Sequence, residues 1–398
     1  METDVTIVGA GPAGLCLARS LSGRGLKIVV IDQQPLRELE TPAFDGREIA
    51  LSHKSVAIMK RLSLWQIIGE DAQSQLRDAK IFNGSSPEAL EIGHSLGIHA
   101  ELGWLVPNHL IRQAAWRSVQ RSMADNGDIT VMAAEKVSGV KTGSTSGRVT
   151  LESGNSVVSR LVVAADSRFS ATRRQMGIPA NMHDHGKSML VCRMTHSEPH
   201  HHVAWEWFGF GQTLAVLPMN AEPDTGAHRS SIVVTLPGRE ADALANMAPD
   251  EFSRNIERRF ERRLGSMHLA STRHVYPLVS VYPRRFVARR FATVGDAAVG
   301  MHPVTAHGFN FGLMGVEALS GEILAAHRNG QDIAREAVLQ RYEARHRRAT
   351  RPLYLMTRLV TDIYTNCSPP ARMARSILLH AAEHFTPFKK GIAFALSG

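Results

Sequence analysis

The chain has 398 residues, 43% of them hydrophobic, which suits two or three subdomains around a large core and excludes a disordered or fibrous chain. Its three cysteines (Cys16, Cys192, Cys367) are far apart with no CxxC, so neither a disulfide framework nor a thiolate metal site is indicated and a reducing compartment fits. The net charge of +9 gathers in arginine clusters without any recognition module beside them, which leaves an anionic membrane surface, an acidic partner, an anionic cofactor or a solvated helix face and argues against nucleic acid.

The first element is a buried-strand pattern at Val5–Val8, followed by Gly9, Gly11 and Gly14 as a GxGxxG. A helix is expected from Pro12 to Ser22 and a strand from Lys27 to Ile31, ending in Asp32. Gly9 permits the tight turn, Gly11 lets the backbone approach a pyrophosphate, and Gly14 lets the helix pack on the sheet. Ala13 lies in the same turn. The helix N-terminus presents free N–H groups and the positive end of its dipole to phosphates. Asp32 lies 18 residues beyond Gly14, where a carboxylate accepts hydrogen bonds from a ribose. The acid disfavours a 2′-phosphate, so the nucleotide is FAD or NAD.

Residues 128–165 read as a β-meander, and four β-rich stretches between 186 and 236 as a mixed antiparallel sheet. The alternation in Leu214–Met219 makes Leu214, Val216 and Pro218 the expected substrate wall. His200-His201-His202 and His183-x-His185 lack metal-ligand spacing, and no metal is expected. The strand Phe291–Val294 runs into Gly295-Asp296, and after Pro303 the sequence Gly308-Phe309-Asn310-Phe311-Gly312 opens a long helix. This is a second nucleotide-contacting turn. NAD dehydrogenases have no need of one; FAD does, because its ribityl chain and ring must also be held. After Gly330 the pattern is amphipathic and helical, with a further helix at Ala371–Phe385.

With these motifs in place, the chain resembles the class A flavin-dependent aromatic hydroxylases of the para-hydroxybenzoate hydroxylase type. Among them it is most similar to the ubiquinone-biosynthesis hydroxylases, leaning toward the UbiM-like branch. The likeness rests on Gly9, Gly11 and Gly14, on "DGREIALS", on "GWLVPNHLIRQAAW", on "VVAADSRFSATRRQMGI" and on the "VGDAA…P…GFNFG" turn. Ser167, Val299, Ala306, His307 and Gly315 depart from that family's usual residues.

The resemblance implies an α/β fold: a Rossmann-like FAD-binding domain of the GR2 type, a mixed antiparallel β-sheet substrate domain and C-terminal helices. The FAD-binding domain would comprise 1–75, 98–180 and 271–330, with a substrate-domain insertion at 76–97, the substrate domain at 181–270 and the helical region at 331–398. It also implies FAD contacts from Arg47, Arg112, Asp166 and Asp296, with Pro303, Gly308, Phe309 and Asn310 around the flavin ring. Arg47, His302 and His307 are the expected catalytic or orienting residues.

The implied reaction is hydroxylation of an aromatic ring by O2 through a C4a-hydroperoxyflavin, with NADH or NADPH as a transient reductant. The substrate would be a polyprenyl phenol or benzoquinol of ubiquinone biosynthesis. No fixed acid or base stands out in the sequence. A soluble phenolic substrate and a non-enzymatic flavin-binding assembly subunit stay open as alternatives; a halogenase is disfavoured because "WEWFGF" lacks the Ile-Pro of WxWxIP. No run of 18 apolar residues occurs and the N-terminus lacks a basic signal-peptide start. The expected location is therefore cytoplasmic, with peripheral attachment at a membrane or in a biosynthetic complex.

Overall fold

In a computed structural model of the chain, residues 1–84, 89–93, 100–209, 211–301 and 308–365 are described. The β-branched run Val5–Val8 lies inside the strand Glu2–Val8, at the middle of a sheet. The sheet order is Val287–Ala288, Phe291–Thr293, Ser156–Ala164, Glu2–Val8, Ile28–Ile31, Ile129–Met132, and all but the first neighbour pair run parallel. Parallel strands buried on both faces need apolar residues in succession. Ile28–Ile31, four apolar residues all buried, shows this directly.

The meander expected at 128–165 is only partly formed. Val137–Thr142, Gly147–Leu151 and Ser156–Ala164 pair antiparallel in succession, but Ile129–Met132 leaves them and joins the parallel sheet beside Ile28–Ile31.

Helix Pro12–Leu21 packs between this sheet and the helices Asn108–Asn126 and Gly308–Arg328. Its residues Leu15, Leu17 and Leu21 are buried in one core with Ile7, Val30, Ile111, Val119, Leu313 and Val316. Each such leucine contributes about 1.5–3 kcal/mol relative to exposure.

A second sheet runs Met267–Leu269, Ala180–His196, His228–Pro237, Thr213–Met219, Val203–Phe208, Asp78–Asn83, Ala89–Ile92. The helices Gly238–Ala245 and Pro249–Arg259 cover one of its faces. A small sheet of Glu48–Leu51, Gly103–Pro107 and Ser74–Leu76 lies against it.

The helix Glu336–Thr365 closes the described chain by packing on Gly308–Arg328. Its His346 is buried, stacked on Tyr342 and tilted against Phe286, and among the described residues neither ring nitrogen has a hydrogen-bond partner. Burial pulls its pKa down to about 4, so the ring is neutral. A Cβ on Gly315 would come within 2.9 Å of that ring. Gly→Ala inside a helix ordinarily gains about 1 kcal/mol. Here Gly315→Ala is expected to lose about 1–3 kcal/mol through overpacking. Thermal melts check this: Gly315→Ala should melt below wild type and regain part of the loss in the His346→Ala background.

The expected helix Ala371–Phe385 lies outside the described residues.

Candidate functional site

The three sheets and the helix Gly308–Arg328 enclose a cavity of about 540 Å³. At one end it meets Gly11, Pro12 and Ala13 with Gly295, Asp296, Gly308, Phe309 and Gly312. Arg47, Ile49, Ala50, Asn108, Arg112, Ser167 and Arg168 line its middle. At the far end it meets the uncovered face of the second sheet, including Met189, Val191, Glu206, Phe208, Ala215 and Val233.

The three glycines of the first turn do different jobs. Gly9 takes φ +110°, and a Cβ there would lie 2.4 Å from the Ala165 carbonyl oxygen. A Cβ on Gly14 would lie 2.0 Å from the Gly9 carbonyl oxygen. Both positions are therefore required by the protein's own backbone. Gly11 has φ −65° and nothing within 4 Å of its would-be Cβ, so the space before the helix N-terminus is open. Gly11 is the N-cap and offers no side chain to the first-turn N–H groups, which leaves them for an anion.

Asp32 accepts from the backbone N–H of Ala10 at 2.6 Å and of Gln34 at 2.8 Å. It ties the end of its strand to the glycine turn, and each carboxylate oxygen keeps a further lone pair for a ribose hydroxyl.

Arg47 donates to Asp45 from Nε (3.1 Å) and Nη2 (2.6 Å), and its guanidinium lies 5.2 Å from the centre of the Tyr276 ring. Burial works against the charge on Asp45, but Arg47 and the hydrogen bonds from Arg47 and Asn108 outweigh it and hold the carboxyl below its usual range. Arg47 is thus a fixed cation on the cavity wall. Arg112 donates to Gln34 Oε1 at 3.1 Å. Asp296 accepts from Arg168 Nη2 at 3.1 Å. Asn310 does not line the cavity with its side chain. It accepts from the Ser52 N–H (3.1 Å) and donates to the Ala50 carbonyl (2.8 Å), fixing the start of its helix against Glu48–Leu51.

Asp166 stands apart from the cavity lining, and the expected substrate wall needs correction. Asp166 turns its carboxylate inward, accepting from Ser170 Oγ at 2.5 Å and from Thr172 N–H and Oγ1 at 3.1 and 2.8 Å. It shapes its own loop, while its neighbours Ala165, Ser167 and Arg168 reach the cavity. Ser167 holds φ +86°, a left-handed conformation that favours glycine.

Leu214, Val216 and Pro218 are not the cavity wall. Leu214 and Val216 are buried beneath the helices with Ile232, Val234, Phe252 and Ile256. The alternate residues Thr213, Ala215 and Leu217 face the cavity. A strand apolar on both faces carries no mark of which face a helix will cover. His302, Pro303 and His307 lie outside the described residues.

Arg168, Glu48 and Glu206 line the cavity without having been singled out in the sequence. Glu48 accepts from Arg193 Nε (3.0 Å) and Nη2 (2.7 Å), a partner 145 residues away. For Glu206 a signal existed: it is the one charge inside the apolar stretch Val203–Phe208.

The fold and this turn-to-sheet cavity are those of a dinucleotide-binding flavoprotein, and Gly11's open cradle suits the pyrophosphate of FAD. Residues 2–354 match the FAD binding domain family model. The chain is 42% identical over 402 residues to ubiquinone hydroxylase UbiM of Neisseria meningitidis, covering 100% of this chain and 85% of the relative. It is 32% identical to ubiquinone hydroxylase UbiL of Rhodospirillum rubrum, covering 97% and 87%. Among solved structures, p-nitrophenol 4-monooxygenase PnpA of Pseudomonas putida superposes with a TM-score of 0.75 at 17% identity, over 100% of this chain and 99% of that one, which shows the shared fold. This chain belongs to the FAD-binding family that includes the ubiquinone hydroxylases.

Proposed function

We propose that the chain is an FAD-dependent monooxygenase that hydroxylates the ring of a polyprenylated phenol or quinol on the way to ubiquinone, with NADH or NADPH reducing the flavin. The observation that carries this reading is the single cavity that runs from the glycine turn to an apolar sheet face. Bound there, the reduced flavin would activate dioxygen for transfer of one oxygen atom to the ring. The chain's own residues would hold the cofactor and keep water away. Gly11 and the first-turn N–H groups would take the pyrophosphate, Asp32 the ribose, and Asp296 the ribityl hydroxyls. Arg47 would place positive charge near the reduced ring. Gly308 and Phe309 would border the ring.

The apolar lining from Met189, Val191, Ala215, Leu217 and Val233 fits a prenylated ring. Exposed Leu355 and Met356 follow exposed Arg345, Arg348 and Arg351 on the helix Glu336–Thr365. That surface favours peripheral attachment to an anionic membrane carrying the lipid substrate. Among the described residues no helix is long and apolar enough to cross a membrane.

The test is anaerobic reduction of the flavin-loaded protein by NADH or NADPH, then mixing with oxygen and a prenylated phenol, with products read by mass spectrometry. Hydroxylated phenol is expected; hydrogen peroxide as the sole product would sink the proposal. Asp296→Ala should weaken FAD retention about tenfold, the scale of one lost hydrogen bond to a charged group. Flavin fluorescence released on dilution measures it, and unchanged retention would remove the ribityl assignment.

A further inference from the structure

The strand Val203–Phe208 pairs with Thr213–Met219 so that Glu206 lies opposite Ala215, which lies opposite Val233, which lies opposite Val191. Paired residues share a face, and Ala215, Val233 and Val191 all line the cavity. Glu206 therefore stands in an apolar row on the same wall. Trp205 and Trp207, its chain neighbours, belong to the opposite, helix-covered face.

Among the described residues Glu206 has no hydrogen-bond or ion-pair partner. The charged groups around it are engaged elsewhere or act at no resolved strength on it. Lys80, on the adjoining strand, pairs with Glu91. Arg193 and Glu48 pair with each other, and Arg47 pairs with Asp45. His185 contacts Ser280, and Lys187 reaches toward the Gly211 carbonyl. Desolvation alone pushes the Glu206 pKa up to about 8. A carboxyl without a partner in an apolar wall costs stability, and its cost is offset when a ligand supplies the missing hydrogen bond.

The geometry points to Glu206 as a catalytic residue that binds the phenolic hydroxyl of the substrate ring and accepts its proton. This assignment rests on the aromatic-hydroxylase reading above. In the step, the phenol O–H bond breaks, the proton passes to the Glu206 carboxylate, and the electron pair moves into the ring. A ring carbon ortho or para to that oxygen then bonds to one atom of dioxygen activated at the reduced flavin. A bound reduced flavin would supply two of the electrons that dioxygen takes, and the ring the other two. Its other atom leaves as water, and loss of the proton from the attacked carbon restores the aromatic ring. A raised carboxyl pKa brings this base closer to that of a phenol, which makes the transfer less uphill.

The sign of the pH dependence follows. Only ionised Glu206 can accept the proton, so the rate of product formation should rise with pH through about 8 and then level. The experiment compares flavin-loaded wild type, Glu206→Gln and Glu206→Leu on a 2-prenylphenol with one isoprene unit and on its O-methyl ether.

Glu206→Gln is expected to retain flavin and its reduction rate, to form product about 100-fold more slowly, and to lose the pH limb. An unchanged rate with an unchanged pH profile overturns the assignment. Glu206→Leu should melt higher than wild type, because it removes a half-buried carboxyl without a protein partner. A second readout is independent of turnover: the carboxyl infrared band present in wild type and absent from Glu206→Gln should shift when the phenol binds and stay in place with the methyl ether. If wild type hydroxylates no phenol, the reaction assignment fails. The infrared band then decides Glu206 by itself: a shift with the phenol supports its binding role, and an unmoved band overturns it.

Discussion

Gly11→Val should yield a folded, colourless protein. The backbone at Gly11 is in an extended conformation open to any residue, and a Cβ there meets no protein atom within 4 Å. The added Cβ therefore meets no clash inside the protein. Its methyl groups would instead enter the space before the N-terminus of Pro12–Leu21, the proposed place of the FAD pyrophosphate. Displacing the phosphates forfeits at least two charge-assisted hydrogen bonds, each about 1.5–3 kcal/mol, or about 10²–10⁴-fold in affinity.

The neighbouring glycines supply the contrast. Gly14→Ala forces its Cβ to 2.0 Å from the Gly9 carbonyl, and Gly9→Ala adds a strained φ to a clash with Ala165. Those two should damage the apo fold itself. The ratio of flavin to protein absorbance, with melts of the flavin-free proteins, separates the two classes. A yellow Gly11→Val protein with full occupancy would refute the cradle.

Arg193→Ala is expected to cost about 3–5 kcal/mol, because it strands a buried carboxylate. The Glu48 side chain is 1% exposed and the pair joins the small sheet to the second sheet across the cavity. Arg193 also covers the Phe44 ring at 4.6 Å, so packing is lost with the charge.

Burial raises the Glu48 pKa, Arg193 draws it back down, and the balance stands at about 7. The folded state thus binds this proton more tightly than the unfolded chain, whose glutamate titrates near ~4.3. The stability contributed by Glu48 is full below the unfolded value and declines as pH rises toward about 7, with no further change above it. Without Arg193 the folded pKa climbs and the decline extends to higher pH. Urea unfolding at pH 6 and pH 9 tests this: the deficit of Arg193→Ala should be larger at pH 9, and Glu48→Gln in that background should recover much of it. Equal deficits at both values would show that lost packing, not the stranded charge, is the cause.

The glycine turn and its flanking strands were legible because their signals are local. Gly9, Gly11, Gly14 and Asp32 lie within one strand-helix-strand unit, and backbone geometry limits what can stand at each. The Gly295-Asp296 turn and the helix opening at Gly308 were readable for the same reason. Asp166 was placed in a loop beside the cavity, but its bonds to Ser170 and Thr172 were not foreseen, since the sequence pattern points to a ligand and not to local partners. Leu214 and Val216 were read as wall because a strand apolar on both faces looks alike from either side.

By itself the sequence determined two glycine turns of the kind that let a backbone approach a nucleotide, since short-range steric limits are written into adjacent residues. Only the tertiary structure decided which strand face would be roofed by helices and which would border the cavity. It alone brought Glu48 to Arg193 and left Glu206 in an apolar row. Those outcomes depend on contacts between segments far apart in the chain, where burial and pairing are properties of the assembled sheets and not of any one stretch.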